Sequence, residues 1–184
     1  MNELLNRESA ALLVIDVQER INAVMADQGH LPRLEVLVDA CRGLEVPVIS
    51  SEQYPQGLGS TVESLATALG DPPAGKLTFS CIRDDGLRQA IDDSGRQQII
   101  VTGIEAHVCV LQTVLDLSAM GFEVHVPHDA VMSRRPADKD WALHRMAAGG
   151  ATITSTESAL FELLERCDTA DFKTVAKLIK RIPV

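Results

Sequence analysis

Short apolar runs recur along the chain and alternate with segments whose apolar residues have helical spacing. The runs with the length and composition of buried strands cover residues 11–16, 46–50, 77–82, 98–103, 122–126 and 151–154. Helical spacing marks the segments around residues 34–44, 87–91, 111–120, 141–146 and 175–179. This alternation is typical of a parallel sheet covered by helices on both faces, so the pattern predicts an α/β fold.

Residues 97–112 carry the clearest indication of chemistry. A β-branched run at 99–101 is closed by Gly103, and helical spacing then continues to a stop at Gly121. The pattern places Cys109 in the first turn of a helix. Unpartnered N–H groups and the positive end of the helix dipole at that place favour a thiolate and can hold an oxyanion. Most unpaired cysteines, however, are inert buried hydrophobes, so spacing alone leaves both interpretations open.

Composition narrows the function classes. A chain of 184 residues is long enough for one domain, and nothing divides it, so we expect residues 1–184 to form a single domain. The net charge of −9 and an aromatic content of 3% argue against nucleic acid and anionic membranes as partners. Four cysteines without regular spacing and the absence of an apolar leader predict a reduced, cytoplasmic protein.

Ligands of open parallel sheets bind beyond the carboxyl ends of the strands, which directs attention to the residues that follow each run. Asp16 follows the first run, residues 51–54 follow the second, and residues 103–109 follow the fourth. Lys76 stands just before the third run. Each of these residues also has an ordinary interpretation. Asp16 with Glu19 fits a helix cap, Lys76 a solvated loop lysine, and the polar residues near them an exposed surface.

Three segments, DVQ at 16–18, KLTFS at 76–80 and GIEAHVC at 103–109, resemble the cysteine hydrolases of the isochorismatase-like superfamily. Residues 53–59, 129–134 and 154–158 further resemble its isochorismatase domain-containing branch. The similarity extends over nearly the whole chain. It implies a three-layer, Rossmann-like fold with a six-stranded parallel sheet of order 3-2-1-4-5-6, flanked by helices on both faces. It also implies a homo-oligomer.

The resemblance implies a catalytic triad of Asp16, Lys76 and Cys109. In that arrangement Asp16 accepts the thiol proton, Lys76 stabilises the charges, and the Cys109 thiolate attacks a carbonyl carbon. The implied oxyanion hole consists of the main-chain N–H groups of Glu105 and Cys109, with a cis peptide between Ile104 and Glu105.

Four further residues are candidates for substrate binding. The Asp-x-Gln pattern of the family implies that Gln18 points into the site, and His107 is a candidate hydrogen-bond donor near the substrate. Gln53 and Tyr54, on the loop after the second run, are candidates for setting substrate choice. Surface positions at a helix start and in a loop are the competing interpretations for these four side chains.

Departures from the wider superfamily limit the predicted activity. Residues 51–54 lack the Asp-x-His metal-binding pattern of nicotinamidases, and the histidines offer no replacement, so we expect no metal and no cofactor. Isochorismatase itself cleaves a vinyl ether without the cysteine. The leading hypothesis is therefore a metal-independent cysteine hydrolase, an amidase that cleaves a C–N bond of a small molecule through a thioester. The alternatives are a catalytically silent small-molecule binder or scaffold oligomer, and a redox-sensing thiol.

Overall fold

The computed structural model describes residues 4–183, and parallel strands form its central sheet. The strands run in the order β3-β2-β1-β4-β5-β7, and the short strand β6 pairs with the end of β4. Their bounds are β1 Ala10–Ile15, β2 Val48–Gln53, β3 Ala74–Lys76, β4 Gln98–Ile104, β5 Glu123–Pro127, β6 Val131–Met132 and β7 Thr152–Thr154. The α/β class and the expected strand order are confirmed, with β7 in the last position.

The two central strands, β1 and β4, are buried along their whole length, as their continuous apolar runs predict. They pair in parallel from Ala10 with Gln98 to Ile15 with Gly103. Successive residues of β1 enter different cores: Leu12 and Val14 pack on one face of the sheet, and Leu13 and Ile15 pack on the other. The strand order reverses between these two strands, and their carboxyl ends therefore form the switch point of the sheet.

Helices cover both faces. One core is closed by α2 His30–Gly43, α4 Glu63–Leu69, α8 Thr156–Leu164 and α9 Ala170–Ile179, and the other by α5 Asp85–Asp93, α6 Leu111–Ala119 and α7 Pro136–Ala148. The short helices α1 Glu19–Asn22 and α3 Pro55–Leu58 follow β1 and β2 at the carboxyl edge of the sheet. None of the helices in the described range is long and apolar enough to cross a lipid bilayer.

Three local predictions need correction. The third strand is Ala74–Lys76, and the apolar run at 77–82 is instead a loop that ends in a 3₁₀ turn at Cys81–Arg83. Lys76 is therefore the last residue of β3 at the carboxyl edge, and Asp16 directly follows β1 at the same edge. A π-helical turn, Ala106–Val110, precedes α6 and contains Cys109.

The junction between β4 and β1 requires a residue without a side chain. Gly103 has a φ of +109°, and a Cβ there would lie 2.1 Å from the carbonyl oxygen of Ile15. This close approach brings the end of β4 directly beside the residue that precedes Asp16. Asp16 itself has a φ of +54°, a conformation that non-glycine residues adopt mainly under constraint.

Candidate active site

The carboxylate of Asp16 is the centre of a buried polar cluster. Its Oδ2 lies 2.7 Å from Nζ of Lys76, and its Oδ1 accepts a 2.8 Å hydrogen bond from the hydroxyl of Ser51. The side chains of both Asp16 and Lys76 are 0% exposed. The carboxylate forms no cap on α1, whose N-cap residue is Gln18 and which has no side-chain cap hydrogen bond. The capping and solvated-lysine interpretations are therefore wrong.

Three further oxygen atoms surround the ammonium group of Lys76. Its Nζ donates to Oε1 of Gln53 at 2.7 Å and to the carbonyl oxygens of Thr78 and Phe79 at 3.2 Å each. The loop that replaces the predicted third strand thus supplies main-chain ligands to the lysine. An ammonium group can be buried when charge and hydrogen bonds compensate for its lost hydration, and both are present here.

Gln53 links this cluster to the nucleophile candidate. Its Oε1 lies 3.9 Å from Sγ of Cys109, and its Nε2 donates to the carbonyl oxygen of Leu77 at 3.0 Å. Gln18 fixes the main chain of Gln53 from the other side: it accepts from the N–H of Gln53 at 2.7 Å and donates to its carbonyl oxygen at 3.0 Å. The surface interpretation of Gln18 is wrong, because this side chain is buried.

The thiol of Cys109 is neutral at ordinary pH. Burial raises its pKa most, and the negative charge of Asp16 raises it further, while Lys76 acts in the opposite direction. This direction is opposite to the expectation that the helix start favours a thiolate, because burial and a neighbouring carboxylate both favour the neutral thiol. Cys109 is arranged as a protonated nucleophile with a carboxylate near it.

Ser51, Cys81 and Thr113 were missed as members of this site. The thiol of Cys81 lies 3.7 Å from the Ser51 hydroxyl, and the main-chain N–H of Cys81 donates to Oγ1 of Thr113 at 3.0 Å. The Thr113 hydroxyl in turn donates to the carbonyl oxygen of Cys109 at 2.7 Å. Burial raises the pKa of Cys81 to about 11. Ser51 lies two residues before Gln53 in β2, so both side chains lie on the same face of the sheet. This period of two is the sequence signal that could have identified Ser51.

Glu105 contacts both the turn that contains Cys109 and an arginine. A cis peptide joins Ile104 to Glu105, as the resemblance implies. The carboxylate of Glu105 forms a two-pronged ion pair with the guanidinium of Arg134, at 3.1 and 3.2 Å, and also accepts from the N–H of Arg134. The carbonyl oxygen of Glu105 accepts from the N–H groups of Val108 and Val110, which closes the turn around Cys109. The ion pair fixes the chain next to the thiol.

A cavity of about 430 Å³ opens onto Cys109. Its polar lining consists of Gln53, Cys109, Glu105, Arg134 and Arg20. The remaining lining is apolar and includes Ile21, Val24, Leu58, Phe79, Ile104 and Val108. The cavity is large enough for a small organic molecule, and Cys109 and Gln53 are the parts of the buried cluster that face it.

Two of the predicted substrate-binding residues lie elsewhere. Tyr54 is 48% exposed, and neither it nor His107 lines the cavity. Nδ1 of His107 lies 3.0 Å from the hydroxyl of Ser133, and its Nε2 lies 4.0 Å from a carboxylate oxygen of Asp138. Substrate contact at Tyr54 or His107 stays a prediction. Within residues 4–183, no group of three or more His, Cys, Asp or Glu side chains is arranged to hold a metal ion.

Comparison with known proteins identifies relatives across most of the chain. The family model described as "Isochorismatase domain" matches residues 10–158. The "Secreted isochorismatase effector Isc1" of Phytophthora sojae is 39% identical over 181 residues, which cover 94% of this chain and 85% of the relative. The "Isochorismatase domain-containing protein 2" of Pongo abelii is 38% identical over 174 residues, with 94% and 83% covered.

Solved structures share the fold. The MAR1 ribonuclease of Caenorhabditis elegans superposes with a TM-score of 0.92 at 37% identity, covering 99% of this chain and 95% of that one. The YcaC gene product of Escherichia coli, described as an octameric hydrolase of unknown specificity, gives a TM-score of 0.91 at 23% identity, with 97% and 90% covered. At the latter identity the likeness concerns the fold alone.

Proposed function

The chain belongs to the isochorismatase family, and we propose that it is a metal-independent cysteine hydrolase that cleaves the C–N bond of a small amide. The family membership supports a hydrolase in general terms. The observation that carries the finer proposal is the buried ion pair of Asp16 and Lys76 next to a protonated thiol that faces a cavity. This combination supplies a nucleophile, a base and a compensating cation.

The first proposed step activates the thiol. Since the Cys109 thiol is protonated at neutral pH, it needs a base to become nucleophilic, and Asp16 is the carboxylate whose charge acts on it. Lys76 compensates for the negative charge while the proton moves from sulfur to Asp16. The thiolate then attacks the amide carbon, and a C–S bond forms as the carbonyl π pair moves to oxygen.

The following steps release the products. The main-chain N–H groups of Glu105 and Cys109 are proposed to stabilise the oxyanion, an effect worth about 3 kcal/mol per donor in comparable enzymes. Asp16 returns its proton to the departing nitrogen as the C–N bond breaks, which leaves a thioester on Cys109. Water, deprotonated by Asp16, hydrolyses the thioester and restores the thiol. The sum is amide plus water to carboxylic acid plus ammonia or amine.

The proposed roles around the triad follow from the hydrogen bonds. Gln53 faces the cavity and is proposed to contact the substrate, whereas Gln18, held against the main chain of Gln53, is a positioning residue. We further propose that residues 1–184 form one domain and that the chain acts as a homo-oligomer. A cytoplasmic setting agrees with the four free cysteines.

RNA cleavage is the competing activity raised by the name of the Caenorhabditis elegans neighbour. The net charge of −9 opposes binding of a polyanion, and Phe79 is the single aromatic side chain among the described residues that line the cavity. RNA therefore belongs in the assay as a comparison substrate. The silent-binder alternative predicts thermal stabilisation by amides without any turnover.

The direct test is a panel of small amides assayed for ammonia or amine release, with Cys109→Ala and Asp16→Asn as inactive variants. Cys41→Ala is the matched control, because Cys41 is a buried thiol outside the cavity. We expect release by the wild type and the control alone, and a thioester adduct at Cys109 in mass spectra of quenched reactions. Turnover retained by Cys109→Ala, or RNA cleavage without amide cleavage, would contradict the proposal.

A further inference from the structure

The charges that line the active-site cavity do not cancel. Three charged side chains face it: Arg20, Glu105 and Arg134. Glu105 is occupied by Arg134 in the two-pronged ion pair. Arg20 donates to the carbonyl oxygen of Gly57 at 2.5 Å, and within residues 4–183 it forms no ion pair with a carboxylate. One positive charge is left without a counterion on a chain that is strongly acidic overall.

The buried end of the site does not supply the missing negative charge. There Asp16 and Lys76 neutralise each other at 2.7 Å, and the Cys109 thiol is protonated. The guanidinium of Arg20, an exposed residue that lines the cavity, is therefore available to an external anion that enters it. In an acidic protein such a local excess of positive charge also attracts anions to the site.

The apolar walls of the cavity determine the rest of the ligand. They are formed by Ile21, Val24, Leu58, Phe79, Ile104 and Val108, and these side chains offer no hydrogen bonds to a ligand. An apolar wall favours an apolar stem in the substrate. A guanidinium in the same cavity favours a planar carboxylate, which it can bind with two parallel N–H donors.

We infer that the substrates are amides that carry a carboxylate on an apolar stem, with the scissile amide at Cys109 and the carboxylate at Arg20. This inference rests on the proposed hydrolase function. It makes Arg20 the residue that determines specificity for charge, and it gives Arg134 the separate role of holding Glu105 in place.

The test uses two matched series of primary amides of increasing chain length. One series ends in a carboxylate and the other in an isopropyl group of similar shape. Ammonia release is measured for the wild type, Arg20→Gln, Arg20→Lys and the control Arg88→Gln, which removes an exposed arginine away from the cavity. We expect the wild type and the control to prefer the carboxylate series by about tenfold in kcat/KM.

In Arg20→Gln that preference should disappear. The KM of the carboxylate series should rise and kcat should be retained, because in the inferred complex Arg20 binds the carboxylate and not the reacting amide. Arg20→Lys should keep part of the preference, since it retains the charge and loses the fork. A wild type that cleaves both series equally well, or an Arg20→Gln that keeps the preference, would overturn the inference and leave the hydrolase proposal standing.

A binding measurement separates the two proposals when turnover is absent. The inactive Cys109→Ala protein is titrated calorimetrically with both amide series, with and without Arg20→Gln. Carboxylate-selective binding that depends on Arg20 supports the inference even if no amide is cleaved, in which case the hydrolase proposal alone fails. Binding without that selectivity, or no binding of either series, overturns the inference.

Discussion

Nζ of Lys76 and Oδ2 of Asp16 form an ion pair 2.7 Å long in which neither side chain reaches solvent. Lys76 is the last residue of β3 and Asp16 directly follows β1, so the pair joins these two strands across the intervening β2. A buried pair of this kind contributes little net stability over an apolar substitute, but removal of one partner leaves an uncompensated charge. The pair therefore couples the stability of the fold to the integrity of the site.

Lys76→Met tests this coupling. We expect the free energy of unfolding, measured by urea denaturation, to fall by about 3–5 kcal/mol because the Asp16 carboxylate stays buried without its partner. The double variant Asp16→Asn with Lys76→Met should recover part of the loss. As the control, Arg83→Gln removes an exposed ion pair with Asp116 and should leave the free energy of unfolding almost unchanged. Equal losses in Lys76→Met and Arg83→Gln would contradict the prediction.

Cys109 should alkylate slowly at neutral pH and faster as pH rises, because only the thiolate reacts and burial holds its pKa above the ordinary value. Asp16→Asn removes a negative charge that raises this pKa, so it should accelerate alkylation at a given pH. Lys76→Met should slow it. Peptide mass spectrometry after iodoacetamide treatment measures each rate.

Cys41 is the internal reference for that experiment. Burial raises its pKa to about 12, and it lines no part of the active-site cavity, so it should stay unlabelled in the folded protein. Full labelling of Cys109 at pH 6 would show that the thiolate is already present at rest. Asp16 would then have no proton to accept in the first step.

Gly103→Ala should destabilise the chain more than the same exchange at a glycine that also has a positive φ but has open space around it. The new Cβ would lie 2.1 Å from the Ile15 carbonyl oxygen, and the strands β1 and β4 would have to separate. Gly95→Ala is the matched control, with a φ of +66° and no atom within 4 Å of the added Cβ. We expect a loss of about 1 kcal/mol for Gly95→Ala and at least twice that for Gly103→Ala. Thermal and urea unfolding measure both, and equal losses would refute the steric argument.

Loss of the Ser51 hydroxyl should reduce turnover without changing substrate affinity. Ser51 donates to Asp16 at 2.8 Å but does not line the cavity, so Ser51→Ala should lower kcat by about tenfold and leave KM unchanged. Ser94→Ala, at a hydroxyl that donates to the carbonyl oxygen of Ile91, is the control. A rise in KM alone would place Ser51 in substrate binding instead.

His30 should make the protein sensitive to acid. Burial lowers its pKa to about 4, with the Asp27 charge acting in the opposite direction, so the folded state excludes a proton that the unfolded state binds. Between pH 6.5 and about 4 this group should therefore reduce the unfolding free energy as pH falls, by about 1.4 kcal/mol per pH unit. His30→Gln should remove that slope, whereas the exposed His144→Gln should keep it.

The spacing of apolar residues was sufficient to predict a sheet with a hydrophobic core on each face. It failed where apolar residues are exposed and do not belong to a core. In the run at 77–82, Leu77 is 77% exposed and Phe79 is 54% exposed, with Phe79 lining the cavity. The true third strand, Ala74–Lys76, is three residues long and mostly exposed, so it has no apolar signature. Strand identity there depends on pairing with β2, which local composition does not encode.

The sequence predicted those members of the candidate site that match a family motif residue by residue. Asp16, Lys76 and Cys109 were named on the resemblance, and the structure brings them to one end of the sheet. The parts played by Ser51 and Cys81 depend on the register of β2 against β1, where Ser51 pairs with Ile15, and on a loop path. The raised pKa of Cys109 is likewise a property of burial and of its neighbours.

The many contacts of Gln53 limit how the substrate specificity of such a protein can evolve. Its side chain already accepts from Lys76, contacts the Cys109 thiol and donates to Leu77, while its main chain is held by Gln18. A mutation at this inner wall would disturb the chemistry before it altered the choice of substrate. The apolar side chains of Val24, Leu58 and Phe79 also line the cavity and form no hydrogen bond to the buried cluster, to which Phe79 contributes only its main-chain carbonyl. Inherited variation in substrate range, and any laboratory selection for a new one, should therefore accumulate there.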